Sequence, residues 1–134
     1  MSGSYYSANP HHARPDRSEE RERQESAENS AFWYFKSSTK RQKAAFDAAM
    51  ARAATLNGGA HHVAKQAAHE AWHSTTADAR ALYEETVAEI LRTGEVSEET
   101  GDRWQEVEDA AEARARAATI MAQFDAAISS IKAA

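Results

Sequence analysis

The chain has 134 residues, room for one small domain with tails, and sets 16 lysines and arginines against 21 acids for a formal net charge of −5. It has no cysteine, which excludes disulfides and thiolate metal centres. No apolar run approaches the roughly 18 residues of a membrane span, and no signal-peptide core opens the chain, so it reads as a soluble intracellular protein.

Alanine fills 31 positions while valine and isoleucine together fill eight, a balance that favours helix over strand throughout. An all-α fold without a sheet is expected. Alanine buries little area, so the few aromatic and aliphatic side chains must carry most of the core at about 25 cal/mol per Å² removed from water.

In chain order, residues 1–29 mix Ser, Pro, His, Arg and Glu around two aromatics, Tyr5 and Tyr6, with no apolar period, and are expected to be a disordered polar tail. The first helix is expected to open at Ser30, a good N-cap residue, and to run past Phe46 and Met50 until Asn57-Gly58-Gly59 stops it. A second covers about His61 to His73. Thr76 then caps a third, which opens with Ala77-Asp78, buries Leu82, Tyr83, Val87, Ile90 and Leu91, and ends at Gly94.

Ser97-Glu98-Glu99 supplies a cap and two acids at the positive end of the last helix. There Trp104, Val107, Ala111, Ala118, Met121, Phe124, Ile128 and Ile131 recur at helical steps, interrupted by Arg114. This helix either folds back on the first three or pairs with the same helix of another copy, and folding back is favoured. The chain thus divides into a tail (1–29), a three-helix domain (30–92), and a linker with an acidic amphipathic helix (93–134).

Within Ala31-Phe32-Trp33-Tyr34-Phe35, Phe32 and Phe35 stand three apart and can share one buried face. Trp33, turned away by about 100°, is expected to be exposed. An exposed apolar wedge is what minor-groove binders insert between base steps.

Ser30-Ala31-Phe32-Trp33-Tyr34-Phe35, followed by Trp72, the Thr76 cap and Tyr83, resembles the core signature of a high-mobility-group (HMG) box across roughly residues 28–92. The resemblance implies three helices packed as an L that enters the minor groove and bends DNA. It also implies that Phe32, Phe35, Trp72 and Tyr83 form the core, that Trp33 is the wedge, and that Ser30 touches base edges. Lys40 and Arg41 match basic positions that contact phosphates, and Lys36 and Lys43 extend that set. Arg80 stands where the family usually has lysine. Where the family commonly carries a basic, proline-containing strand, this chain reads Gln24-Glu25-Ser26-Ala27-Glu28, and Ala64 and Ala68 stand where bulkier core residues are common.

Charge is unevenly spread. Residues 31–73 hold six basic and two acidic side chains, a balance of +4, whereas residues 74–134 hold six basic and thirteen acidic ones, a balance of −7. The segment that would face DNA is the net basic part of the chain.

His69-Glu70-Ala71-Trp72-His73 also spells H-E-x-x-H, the spacing at which two imidazoles on one helix face bind zinc and a glutamate activates its water. A third ligand would have to come from Glu84, Glu85 or Glu89. No strand is expected that could align a peptide substrate, so a zinc peptidase is the remote alternative and a surface histidine pair the plainer one.

These readings converge on an architectural DNA-binding protein, not an enzyme, that bends DNA through the minor groove with little sequence specificity. The resemblance would place it in the nucleus or another DNA-containing compartment, in chromatin and transcription regulation. The alternative is a helical protein-interaction module with an HMG-like core that does not bind DNA and meets a partner, or itself, through its last helix. No cofactor, bound metal or membrane is expected in either reading.

Overall fold

A computed structural model describes residues 14–133, and all regular structure among them is helical: α1 (Arg14–Ser38), α2 (Lys40–Ala53), α3 (Gly58–Thr75), α4 (Ala77–Thr93) and α5 (Glu98–Ala133). The expected all-α class holds. Residues 1–13, and with them that part of the expected polar tail, lie outside the described residues.

The expected first helix is two helices, divided at Thr39. The Thr39 hydroxyl donates to the Phe35 carbonyl oxygen at 2.7 Å, and Ser38 donates to the same oxygen at 3.2 Å. Such bonds from a side chain to the preceding turn compete with the helical ladder and bend it. Thr39 sits at φ −113°, ψ 20°, outside the helical well.

Thr76, expected to cap α4 with its side chain, repeats this geometry instead. It adopts φ −106°, ψ 10° and makes no side-chain cap bond. Its hydroxyl donates to the Trp72 carbonyl oxygen at 2.7 Å and accepts from Arg80 Nε–H at 3.3 Å.

Four helices form two antiparallel pairs, α1 with α4 and α2 with α3. Ala27 and Ala31 of α1 are buried against Val87, with Tyr83, Ile90 and Leu91 beside them. These alanines let the two backbones approach closely and set the phase of α1. Ala31 takes the inward position, and Phe32, one residue on, is turned out to 51% exposure. The expectation that Phe32 belongs to the core is corrected: it stacks on Phe35 with ring centroids 6.0 Å apart while facing solvent.

The same packing corrects the expected start at Ser30, which lies inside α1 on its exposed side. Residues 14–29 are helical because Ala27 gives that stretch a buried contact on α4, helped by a Gln24 to Glu28 side-chain bond of 3.1 Å. The α2–α3 hairpin turns through residues 54–57. His61 Nδ1 donates to the Ala53 carbonyl oxygen at 2.8 Å, satisfying a terminal acceptor of α2. Gly58, at φ 61°, opens α3 rather than closing the helix before it.

Between α4 and α5 the expected signals act as read. Gly94 ends α4 in the left-handed region at φ 89°, and the Ser97 hydroxyl accepts from the Thr100 N–H at 3.2 Å. α5 folds back on the bundle through its first half, where Trp104 is buried with Ala79 and Leu82. The Trp104 indole N–H donates to the Thr86 hydroxyl at 3.0 Å, which in turn donates to the Leu82 carbonyl oxygen at 2.7 Å. Tyr34 stacks on the indole with centroids 6.0 Å apart. No helix among the described residues is long and apolar enough to cross a membrane.

Trp104 is therefore the bolt between α1, α4 and α5. Trp104→Ala is expected to lower unfolding free energy by about 3–5 kcal/mol. Trp104→Phe, which keeps most of the ring and loses one hydrogen bond, should cost clearly less, with about 1 kcal/mol of it from the bond. Urea denaturation followed by circular dichroism checks both, and equal costs would show that the ring kept in phenylalanine contributes nothing to the packing.

Candidate nucleic-acid interface

The residues singled out for DNA contact fall on the C-terminal third of α1 and the first turn of α2. Trp33 is 68% exposed, as its rotation away from Ala31 requires. It lines a shallow concavity with Ser30 and Tyr34 of α1 and with Ile90, Gly94, Glu95 and Val96 from the end of α4 and its following loop. Ser30 and Trp33 are thus brought together, and Glu95 stands at the same rim.

Lys40 and Arg41 meet elsewhere, in a second concavity lined by Ser37, Ser38, Gln42, Glu108, Ala111 and Glu112. The two share no lining residue. Arg41 lies 3.8 Å from Glu112 of α5, with both side chains substantially exposed. Lys43 donates to Asp47 at 2.7 Å and sits 5.7 Å from the Phe46 ring centroid. Lys36 and Lys40 are exposed and make no ion pair among the described residues.

An aromatic cluster lies behind these groups. Phe35 meets Trp72 and Tyr83 edge-on at 6.3 and 6.2 Å, and Trp72 meets Phe46 at 5.8 Å. Three of the four expected core aromatics are joined here, and Phe46 joins them where Phe32 does not. Burial is the main reason the Tyr83 phenol is held above its ordinary range, with Glu28 and then Glu84 adding to it.

Thr39 was not singled out from the sequence, and Thr76 and Trp104 hold other roles than those expected of them. Thr39 and Thr76, both almost fully buried, end the helices on either side of the aromatic cluster. A signal was present: Phe35-Lys36-Ser37-Ser38-Thr39 and Trp72-His73-Ser74-Thr75-Thr76 share the order aromatic, basic, two hydroxyls, threonine. Trp104, read only as part of an amphipathic stripe, is the largest buried side chain of the α4–α5 contact.

The zinc reading finds little to build on. His69 lies edge-on to Phe46 at 5.0 Å, and no group of three His, Asp or Glu side chains able to hold a metal gathers among the described residues. Of the expected third ligands, Glu85 accepts both arms of Arg103, at 2.7 and 3.2 Å, and Glu89 accepts from the Ser97 N–H at 3.3 Å.

Comparison with protein-family models, curated proteins and solved structures gives no match to this chain.

The α4–α5 junction carries a pH dependence. The Glu89 carboxyl is held below its ordinary 4.5 first by the Ser97 side chain and then by Thr100, and the Glu85 carboxyl by its hydrogen bond with Arg103 and that cation's charge. Depressed carboxylate values mean that the stabilisation is complete above 4.5 and is lost as pH falls through the folded-state values. The melting temperature should hold near neutrality and fall on acidification through this range, and Glu89→Gln should flatten part of the fall. An unchanged slope in that variant would show that Glu89 contributes nothing.

Proposed function

We propose that the protein binds DNA architecturally, bending a duplex from its minor groove with little sequence preference. The observation that carries the reading is Trp33: a tryptophan 68% exposed on a helix, beside Ser30 and one turn before Lys36. Tryptophan carries a large apolar area, and its exposure on an ordered helix asks for a partner surface.

In this mechanism Trp33 inserts between base steps, Ser30 reaches base edges, and Lys36, Lys40, Arg41 and Lys43 engage phosphates. Two helix pairs meeting at the Phe35, Trp72 and Tyr83 cluster are compatible with the L-shaped frame that the HMG-box resemblance implies. Arg41 and Lys43 are already paired with carboxylates, but exposed pairs are worth only about 0–1 kcal/mol, so a phosphate can displace them. The protein would act in a DNA-containing compartment.

One observation favours a second reading, a helical protein-interaction module. Glu112 of α5 already faces Arg41, Glu95 borders the Trp33 concavity, and acidic residues crowd the rest of the surface. A basic protein partner would suit that surface better than a polyanion.

Fluorescence titration against an AT-rich duplex and a four-way junction, at low and physiological salt, separates the two. Engagement of all four cations gives a slope of log affinity against log salt of roughly −3 to −4. Trp33→Ala should reduce the bend, read by end-to-end energy transfer, far more than the affinity, because the phosphate contacts remain. An equal bend in the variant removes the wedge assignment, and no binding at low salt favours the interaction module.

A further inference from the structure

α5 is longer than the bundle it packs on. Thr100, Trp104 and Ala111 are buried and Ala115 is half-buried along one face, so that face belongs to the bundle. Beyond it, Ile120, Met121, Phe124 and Ile131 are between 58% and 74% exposed. At about 100° per residue, Phe124 points roughly 200° away from Trp104. The stripe read as one apolar face is two, the second directed away from the bundle.

This outward face has a pattern of its own. Ala110, Ala113, Ala117, Ile120, Phe124, Ala127 and Ile131 follow one another at alternating steps of three and four, the seam of a coiled coil. It is graded in size, with alanines first and most of the large side chains after. Parallel self-pairing would oppose Phe124 to Phe124 and alanine to alanine, leaving gaps. Antiparallel pairing sets Phe124 of one copy over Ala113 of the other, and Ile120 over Ala117.

Charge points the same way. Residues 98–112 carry seven acids and one arginine, a balance of −6, whereas residues 113–133 carry three bases and one acid, a balance of +2. Parallel pairing would lay two strongly acidic segments side by side, whereas the antiparallel register sets residues 104–112, with a balance of −4, against residues 125–133, where Asp125 and Lys132 cancel, and so relieves that repulsion. Trp104 and Ala111 hold the bundle on the opposite side of α5, and Arg41 of α2 borders the seam at Ile120.

We propose that the outward seam of α5 pairs antiparallel with the same seam of a second copy of this chain, giving a homodimer with its two bundles on opposite sides of a central helix pair. The inference is independent of DNA binding. The chain has no cysteine, so single cysteines report the pairing cleanly.

Sedimentation equilibrium of the full chain, from low to high micromolar, should give a mass twice that of the monomer. Phe124→Glu, outside the bundle, should weaken association at least about a hundredfold. Its helix content and melting temperature at monomeric concentration should stay unchanged, and Ile131→Glu serves as a second variant. Ala110→Cys and Ala127→Cys proteins, mixed and mildly oxidised, should cross-link to each other, while neither should cross-link to itself. A wild-type chain monomeric at every concentration, a dimer indifferent to both glutamate variants, or self-cross-linking of Ala110→Cys overturns the proposal.

Discussion

The bend that Thr39 and Thr76 impose on two neighbouring stretches of helix is the constraint on which the remaining structure depends. Each threonine follows an aromatic residue by four positions, and each donates its hydroxyl to that residue's carbonyl oxygen at 2.7 Å. Each backbone N–H goes to the same oxygen at 3.1 Å, so both breaks leave the local hydrogen bonding satisfied. The aromatic residues concerned, Phe35 and Trp72, touch edge-on across the fold. The two breaks therefore lie side by side, and the α1–α4 pair passes into the α2–α3 pair at a junction held by rings. The direction of that junction sets where the cations of α2 stand relative to Trp33 of α1.

Alanine governs the approach of α1 to α4 in a complementary way. A buried alanine contributes little transfer free energy, yet it lets neighbouring residues and the facing helix come close, and Ala27 and Ala31 use this against Val87. The price is that the phase of α1 is fixed by its smallest residues rather than its largest. Phe32 and Trp33 are turned out as a consequence, and the exposed aromatic surface of the molecule follows from how tightly the alanines fit.

This explains what could be read from the sequence. Helical class, the Gly94 stop, the Ser97 start and the exposure of Trp33 were legible because each depends on local chemistry: propensity, a left-handed cap, a hydroxyl acceptor, a rotation of one residue. The identity of the buried face of α1 was not, since an amphipathic reading gives weight to Phe32 and overlooks Ala31. The helicity of residues 14–29 escaped for the same reason, its anchor being Ala27. The break at Thr39 was written twice in the sequence, but a threonine within a helical pattern reads as neutral until its hydroxyl is seen to turn back on the preceding turn. Of the proposed DNA contacts, the grouping of Ser30 with Trp33 was legible, and the placement of Lys40 and Arg41 against α5 required the long-range fold.

α5 shows how a single helix can serve two surfaces. Its acidic first half is committed inward by Trp104 and brings Glu112 to within 3.8 Å of Arg41, in a pair exposed enough for solvent and salt to screen. In the proposed DNA complex that contact would bias the basic face without closing it, because a polyphosphate offers Arg41 several anionic sites in place of one. The second half stays beside α2 as far as Ala118 and Ile120, and the rotation that directs Trp104 inward directs Phe124 outward. Shortening the helix would remove the outward seam and leave the inward contacts of Trp104 intact, so the surfaces can change separately. A sequence that buried Ile120 and Phe124 on the same face as Trp104 would need a longer bundle beneath the second half of α5, because the rotation between Trp104 and Phe124 is fixed by the helix itself.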